Sequence, residues 1–199
     1  METAQHTPAH PAKPSARERL LTAANELFYA EGVRSVGIDR IIEHAGVAKA
    51  SLYNTFGGKE QLVQAYLERR HENISARITR AVDSYDAPRD RLLAVFEAQS
   101  ATFGDPDYHG CAFISASAEA VPGGLVEQAS DNYRGWLRGL FTRLAEDAGA
   151  ADPEALGRQL QFIYDGATIA VRMDHNVAAG ETSRAMATAL IDAAVAGER

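Results

Sequence analysis

The chain has 199 residues, 46% hydrophobic and 24% charged, with a net charge of −7, which suits one folded domain or two small ones and is a globular rather than a disordered composition. Its longest stretch free of Asp, Glu, Lys and Arg runs from Tyr108 to Ala118, eleven residues, too short for a transmembrane helix. A single cysteine excludes an intramolecular disulfide and any multi-cysteine metal site, and the His-, Pro- and Ala-rich start lacks the apolar core of a secretory signal, so a cytoplasmic protein is expected.

Residues 1–14 hold three of the seven prolines and read as a flexible tail. Ser15 to Glu18 forms a capping box, after which Leu20, Ala24, Leu27 and Phe28 make one apolar face and Gly32 ends the first helix. A short second helix is predicted from Gly37 to His44 and a short third from Lys49 to Thr55. Gly57-Gly58 break the chain before a long fourth helix carrying Leu62, Val63, Tyr66, Leu67, Ile74, Ile78 and Val82 on one stripe. Pro88 opens a fifth helix with Leu92, Leu93, Phe96 and Phe103. A short apolar segment, Cys111 to Ala118, follows. The last three helices are an amphipathic one from Leu125 to Leu144, one opened by Asp152-Pro153-Glu154, and an Ala-rich one from Thr182 to Ala196. No alternating strand pattern occurs, so the fold class is all-α with about nine helices.

Charge is distributed unevenly. Residues 1–80 carry 11 Lys and Arg against 9 Asp and Glu, whereas residues 81–199 carry 9 against 18. A relatively basic N-terminal part can meet a polyanion while the acidic remainder points away.

The second and third helices are joined at Ala45-Gly46-Val47, the pattern of a helix-turn-helix in which glycine takes a left-handed turn position. Ile41, Val47 and Leu52 would lock the two helices together. The second of them then exposes Lys49, Ala50, Ser51, Tyr53 and Asn54, small, polar or aromatic residues suited to base edges and phosphates in a major groove. The plainer reading of each is solvated helix surface, or for Tyr53 a ring packed on the first helix.

The run from Arg19 to Leu62 resembles the DNA-binding domain of TetR/AcrR-family transcriptional regulators. The residues that carry the likeness are Leu27-Phe28, Gly32, Ile41, Ala45-Gly46-Val47, Leu52-Tyr53, Phe56 and Lys59-Glu60. The resemblance implies an all-helical homodimer with an N-terminal three-helix DNA-binding domain at 15–60. It implies an effector-binding and dimerisation domain at 61–199. The expected function is a ligand-responsive regulator, most often a repressor, that binds a palindromic double-stranded operator and is released by a small molecule. Tyr53 in this motif looks like a phosphate-contacting hydroxyl. Three positions depart from the pattern: Ile42 stands where a small Ala is usual, and Ala48 and Gly58 stand where Ser caps are usual. The alternative is a helical small-molecule-binding protein or enzyme that does not bind DNA.

Further DNA contacts are expected from Arg34 and Gly37, beside the start of the second helix, and from Lys59, where helix amides and an ammonium can hold a phosphate together. In the C-terminal part, Phe96, Phe103, Phe113, Tyr133, Trp136, Phe162 and Tyr164 either line a ligand pocket or form ordinary core, with Tyr66, Cys111 and Asp165 as further candidates. Cys111 reads more readily as a small hydrophobe than as a thiol switch. The last two helices carry more apolar and small residues than one face needs. Leu156, Leu160, Ile163, Ala167, Val171, Met186, Ala189, Leu190 and Ala193 are therefore the expected dimer interface. No catalytic constellation, phosphate loop or metal-ligand spacing is present, so neither an enzyme nor a cofactor is expected.

Overall fold

The structure is a computed structural model that describes residues 14–196; apart from residue 14, the expected N-terminal tail lies outside them. Among the described residues there are nine helices and no strand: α1 (Ala16–Glu31), α2 (Ile38–Ala45), α3 (Lys49–Phe56), α4 (Lys59–Val82), α5 (Pro88–Ser100), α6 (Ala112–Ser117), α7 (Leu125–Asp147), α8 (Pro153–Asp174) and α9 (Ala179–Ala196).

The ends follow local chemistry. The Ser15 hydroxyl accepts from the Glu18 amide and the Asp152 carboxylate from the Ala155 amide, so α1 and α8 each begin on a side-chain cap. Pro88 occupies the first turn of α5, where its missing N–H is harmless. That helix stops at Ser100, and Phe103, expected on it, lies in the turns beyond; Phe103 packs with Ala167 and Val171 of α8 instead.

Helices α1 and α3 sit on α4 and α2 packs on α1 and α3; α4 also packs against α5 and α7, α8 lies between α7 and α9, and α9 returns to α5. One continuous apolar core runs from Leu20 in α1 to Ile191 in α9. Its centre is aromatic: Phe96 lies 5.6 Å from Phe141 and 6.2 Å from Tyr164, ring centroid to ring centroid. Helices α7 and α8 cross closely at Gly157, where a Cβ would stand 2.7 Å from the Thr142 hydroxyl and 3.1 Å from its backbone nitrogen.

Candidate nucleic-acid interface

The turn between α2 and α3 is made by Gly46, at φ 60° and ψ 44°, a left-handed conformation that a side chain adopts only with strain. Its N–H returns to the carbonyls of Ile42 and Glu43, closing α2. Arg19 of α1 completes the closure, donating from Nη1 to the Ala45 and Gly46 carbonyls at 3.3 and 2.9 Å. Sequence reasoning assigned Arg19 no role, because a cap supplied from another helix leaves no local pattern. Below the turn Ile41 and Leu52 are completely buried, with Ala45 beside them and Val47 half-buried. Ile42 is accommodated half-buried at the edge of this contact.

Locking one side of α3 by Leu52 leaves the other side outward. Lys49, Ala50, Tyr53 and Asn54 are exposed, as are Arg34 and Gly37 at the approach to α2, while Ser51 and Lys59 are half-buried. Tyr53 keeps 46% of its surface in solvent, so its ring is not packed away on α1. Gly37, Ala48 and Gly58 cap α2, α3 and α4 without any side-chain hydrogen bond, which leaves the first amides of all three helices open to an outside acceptor. The Lys49 ammonium is held 2.7 Å from an Asp39 oxygen, and this hydrogen bond holds its pKa above the usual lysine value. The pair is exposed on both sides, so a phosphate can take over the cation at little expense.

Five hydrogen bonds tie this surface to the rest of the molecule. The Arg34 amide donates to Glu119 at 2.8 Å, the Arg69 guanidinium to Glu18 at 2.8 Å, and the Leu125 amide to Glu60 at 3.3 Å. The Tyr29 hydroxyl donates to the Gly110 carbonyl at 2.9 Å and accepts from the His109 amide at 3.1 Å. These pairings also escaped sequence reasoning, since each partner lies more than fifty positions away.

The expected ligand-binding residues divide. Phe113 stacks on Tyr133 at 4.0 Å, with His71 and Trp136 against the same group, and Phe96 meets Tyr164. Tyr66 is buried on Phe28 between α1 and α4. Asp165 is mostly covered and ion-paired with Arg134 at 2.8 Å; burial still pushes its pKa up, with Arg134 opposing. Burial likewise raises the Cys111 thiol, which stays protonated rather than poised as a nucleophile. Phe162 does not join them: it is 73% exposed on the outer side of α8.

The expected pairing face divides in the same way. Leu156, Leu160, Ala167 and Val171 are buried within the protomer, whereas Ile163 and Leu190 are half-buried and Met186, Ala189 and Ala193 are exposed. The stripe that faces outward on α8 is Phe162, Ile169 and Met173, about a third to a half of a turn round from the buried one. With Met186 of α9, Phe162 borders an apolar groove of about 510 Å³. Both stripes are apolar at helical spacing, so periodicity alone could not tell core from surface.

Among the described residues no group of three or more His, Cys, Asp or Glu side chains is placed to hold a metal, and no helix is long and apolar enough to cross a membrane. Residues 20–66 match the family model described as bacterial regulatory proteins, tetR family. A TetR-family transcriptional regulator from Streptomyces coelicolor has a crystal structure that superposes with a TM-score of 0.86; it is 36% identical over 90% of this chain and 96% of its own. The transcriptional activator FasR of Mycolicibacterium smegmatis is 38% identical over 41% of this chain and 37% of that protein. The transcriptional regulator LmrA of Bacillus subtilis is 30% identical over 60% and 66%. The aligned part thus spans from about a third to just under two thirds of these two curated relatives.

Proposed function

The chain belongs to the TetR family of bacterial regulatory proteins, and on that premise we propose that it is a homodimeric, ligand-responsive transcriptional regulator, a repressor, of a palindromic DNA operator. The observation that carries the reading is the outward face of α3, Lys49 to Asn54, held off the body by the left-handed turn at Gly46 and sealed beneath by Leu52. Tyr53, Lys59 and the open amides of α2 and α4 would fix the backbone of the duplex, and Lys49, Ser51 and Asn54 would read or flank base edges. One eight-residue helix reads few base pairs. Two copies, set about 34–36 Å apart or a multiple of it, supply the rest. The exposed α8–α9 stripe around Phe162, Ile169, Met173 and Met186 is the face that would pair them.

Release would be a population shift. An effector that binds better to one spacing of the two recognition helices lowers affinity for DNA by the same coupling. Helix α4 is the mechanical link, because Lys59 stands at the DNA face while Tyr66, Leu67, Ile78 and Val82 are packed in the body.

Fluorescence anisotropy with DNA from the protein's own upstream region tests this. Specific binding at about 10⁻⁸ M or tighter is expected. Lys59→Ala should weaken binding about equally on all sequences and reduce the slope of log affinity against log salt by about 1. Equal affinity for operator and scrambled duplex would refute the reading.

A further inference from the structure

We propose that the cleft between α1, α4 and the loop leading into α6 is a binding site for a small organic acid, whose carboxylate or phosphate is gripped by Arg70 and Arg77. The site rests on the regulator reading in one respect only: it gives the effector a chemical class. The cleft has a volume of about 570 Å³, within the usual range of small-molecule sites.

Both arginines come from α4, seven residues apart, so they stand on one face of the helix two turns from each other. The Nε of each is buried and has no hydrogen-bond partner among the described residues. Neither guanidinium joins any ion pair that those residues form. A covered donor left without an acceptor is unfavourable, and an oxyanion that accepts two parallel N–H bonds removes the penalty.

The arginines are also oriented. The Arg70 guanidinium lies over the Tyr29 ring, its Cζ 3.5 Å from the centroid, which fixes its plane. Arg77 lines the same cleft as Tyr108, whose hydroxyl is neutral and does not neutralise it. The acidic residues of the cleft stand elsewhere. Glu26, Asp105 and Asp107 are exposed at the mouth; Glu26 is engaged with His44 at 2.7 Å, and Asp105 accepts from the Asp107 amide at 2.9 Å. At about 570 Å³ the cleft is far larger than a bare inorganic anion needs, so the favoured ligand is an acid whose organic remainder fills it.

Occupancy would reach the DNA face directly. Tyr29 belongs to α1, lies under Arg70, and holds the Gly110 carbonyl and His109 amide of the same loop. An acid that draws Arg70 toward itself changes the stack that seats α1 on the body.

The test uses the full-length protein with sodium benzoate and phenyl phosphate against NaCl of equal ionic strength, and with benzamide as the uncharged counterpart. Thermal unfolding should rise by about 2 °C or more with either acid at a concentration well above its Kd, and not with benzamide. The rise should disappear in Arg70→Gln and Arg77→Gln. Should either variant fold poorly, arginine Nε–H resonances of the unaltered protein, assigned with Arg70→Lys and Arg77→Lys, give the second readout: both should move and saturate with benzoate. An equal response to benzamide, a response retained in both Gln variants, or no response to either acid would overturn the site. Operator binding with no response to acids in either assay would remove the site alone. A saturable response to acids in a protein that binds no DNA would remove the regulator reading and leave the site standing.

Discussion

The first three helices and the six that follow share one core but state their business differently. In α1–α3 the working residues are outside: Leu52 is buried so that Lys49, Tyr53 and Asn54 need not be. A short motif with a glycine turn suffices to specify that arrangement, because turn geometry and one apolar anchor fix which side of an eight-residue helix faces solvent. In α4–α9 the same kinds of side chain, aromatic and at helical spacing, fill the interior at Phe96, Tyr133 and Tyr164 and coat the exterior at Phe162. Periodicity there signals burial against something, and only the packing says whether that is the protein's own core or another surface.

The sharpest way to break this contrast is to damage the body and watch the head. Phe141 is fully buried between Phe96 and Tyr164. Phe141→Ala should destabilise the protein by about 3–5 kcal/mol. Because the core is continuous from α1 to α9, helix content and tertiary signal should still be lost in one urea transition. Two separate transitions would mean that the head folds independently and that the contrast is one between domains rather than between faces. Arg134→Ala should cost about 1.5–3 kcal/mol by stranding the Asp165 carboxylate. Asp165 already has a raised pKa through burial, so its folded state holds a proton to higher pH than the unfolded chain does. Its contribution is therefore most favourable below the ordinary carboxylate range and declines as pH rises. Removing Arg134 should steepen that decline, measured as unfolding free energy between pH 4 and 7, whereas an unchanged profile would place the charge pair outside the stability of the body. Gly46→Ala should cost about 1–2 kcal/mol through the left-handed backbone alone, since an added Cβ meets nothing nearer than Arg19 at 3.8 Å. Its effect on DNA affinity should exceed its effect on stability, because the turn aims α3; an equal loss in both would argue that the turn merely supports the fold.

How much was legible follows the same division. The helix order, the capping at Ser15, the Gly46 turn and the exposed set on α3 were readable because each depends on residues within a few positions of one another. The arginine pair of α4 was readable only in part. Its spacing of seven puts Arg70 and Arg77 on one face, yet that they lack partners depends on loop residues around Tyr108 and His109, thirty or more positions away. The side of α8 that stays outside was not legible, because Leu160 and Phe162 differ in sequence by two positions and in the structure by inside and outside. Arg19, Tyr29 and Glu119 were invisible for a related reason: each bonds to a backbone group of a distant segment, and any residue type could have supplied that group.

The smallest effect separates the two regions by pH. His71 of α4 packs edge-on to Tyr133 at 5.6 Å and against Trp136 at 5.2 Å, and burial lowers its pKa, with Glu72 pulling the other way. A histidine whose folded pKa is depressed binds a proton more readily in the unfolded chain. Its contribution is therefore complete above the ordinary value of about 6.5 and is lost as pH falls through the folded value. His71→Phe keeps a ring against Tyr133 and removes the proton site, so the melting temperature of the variant should fall less steeply than that of the parent between pH 7.5 and 5.5. DNA affinity of the variant at pH 7.5 should match the parent, because no contact of His71 reaches α3. Parallel melting curves would show that His71 is protonated without cost in the folded state, and that the aromatic group around Tyr133 is open to water rather than packed as part of the core.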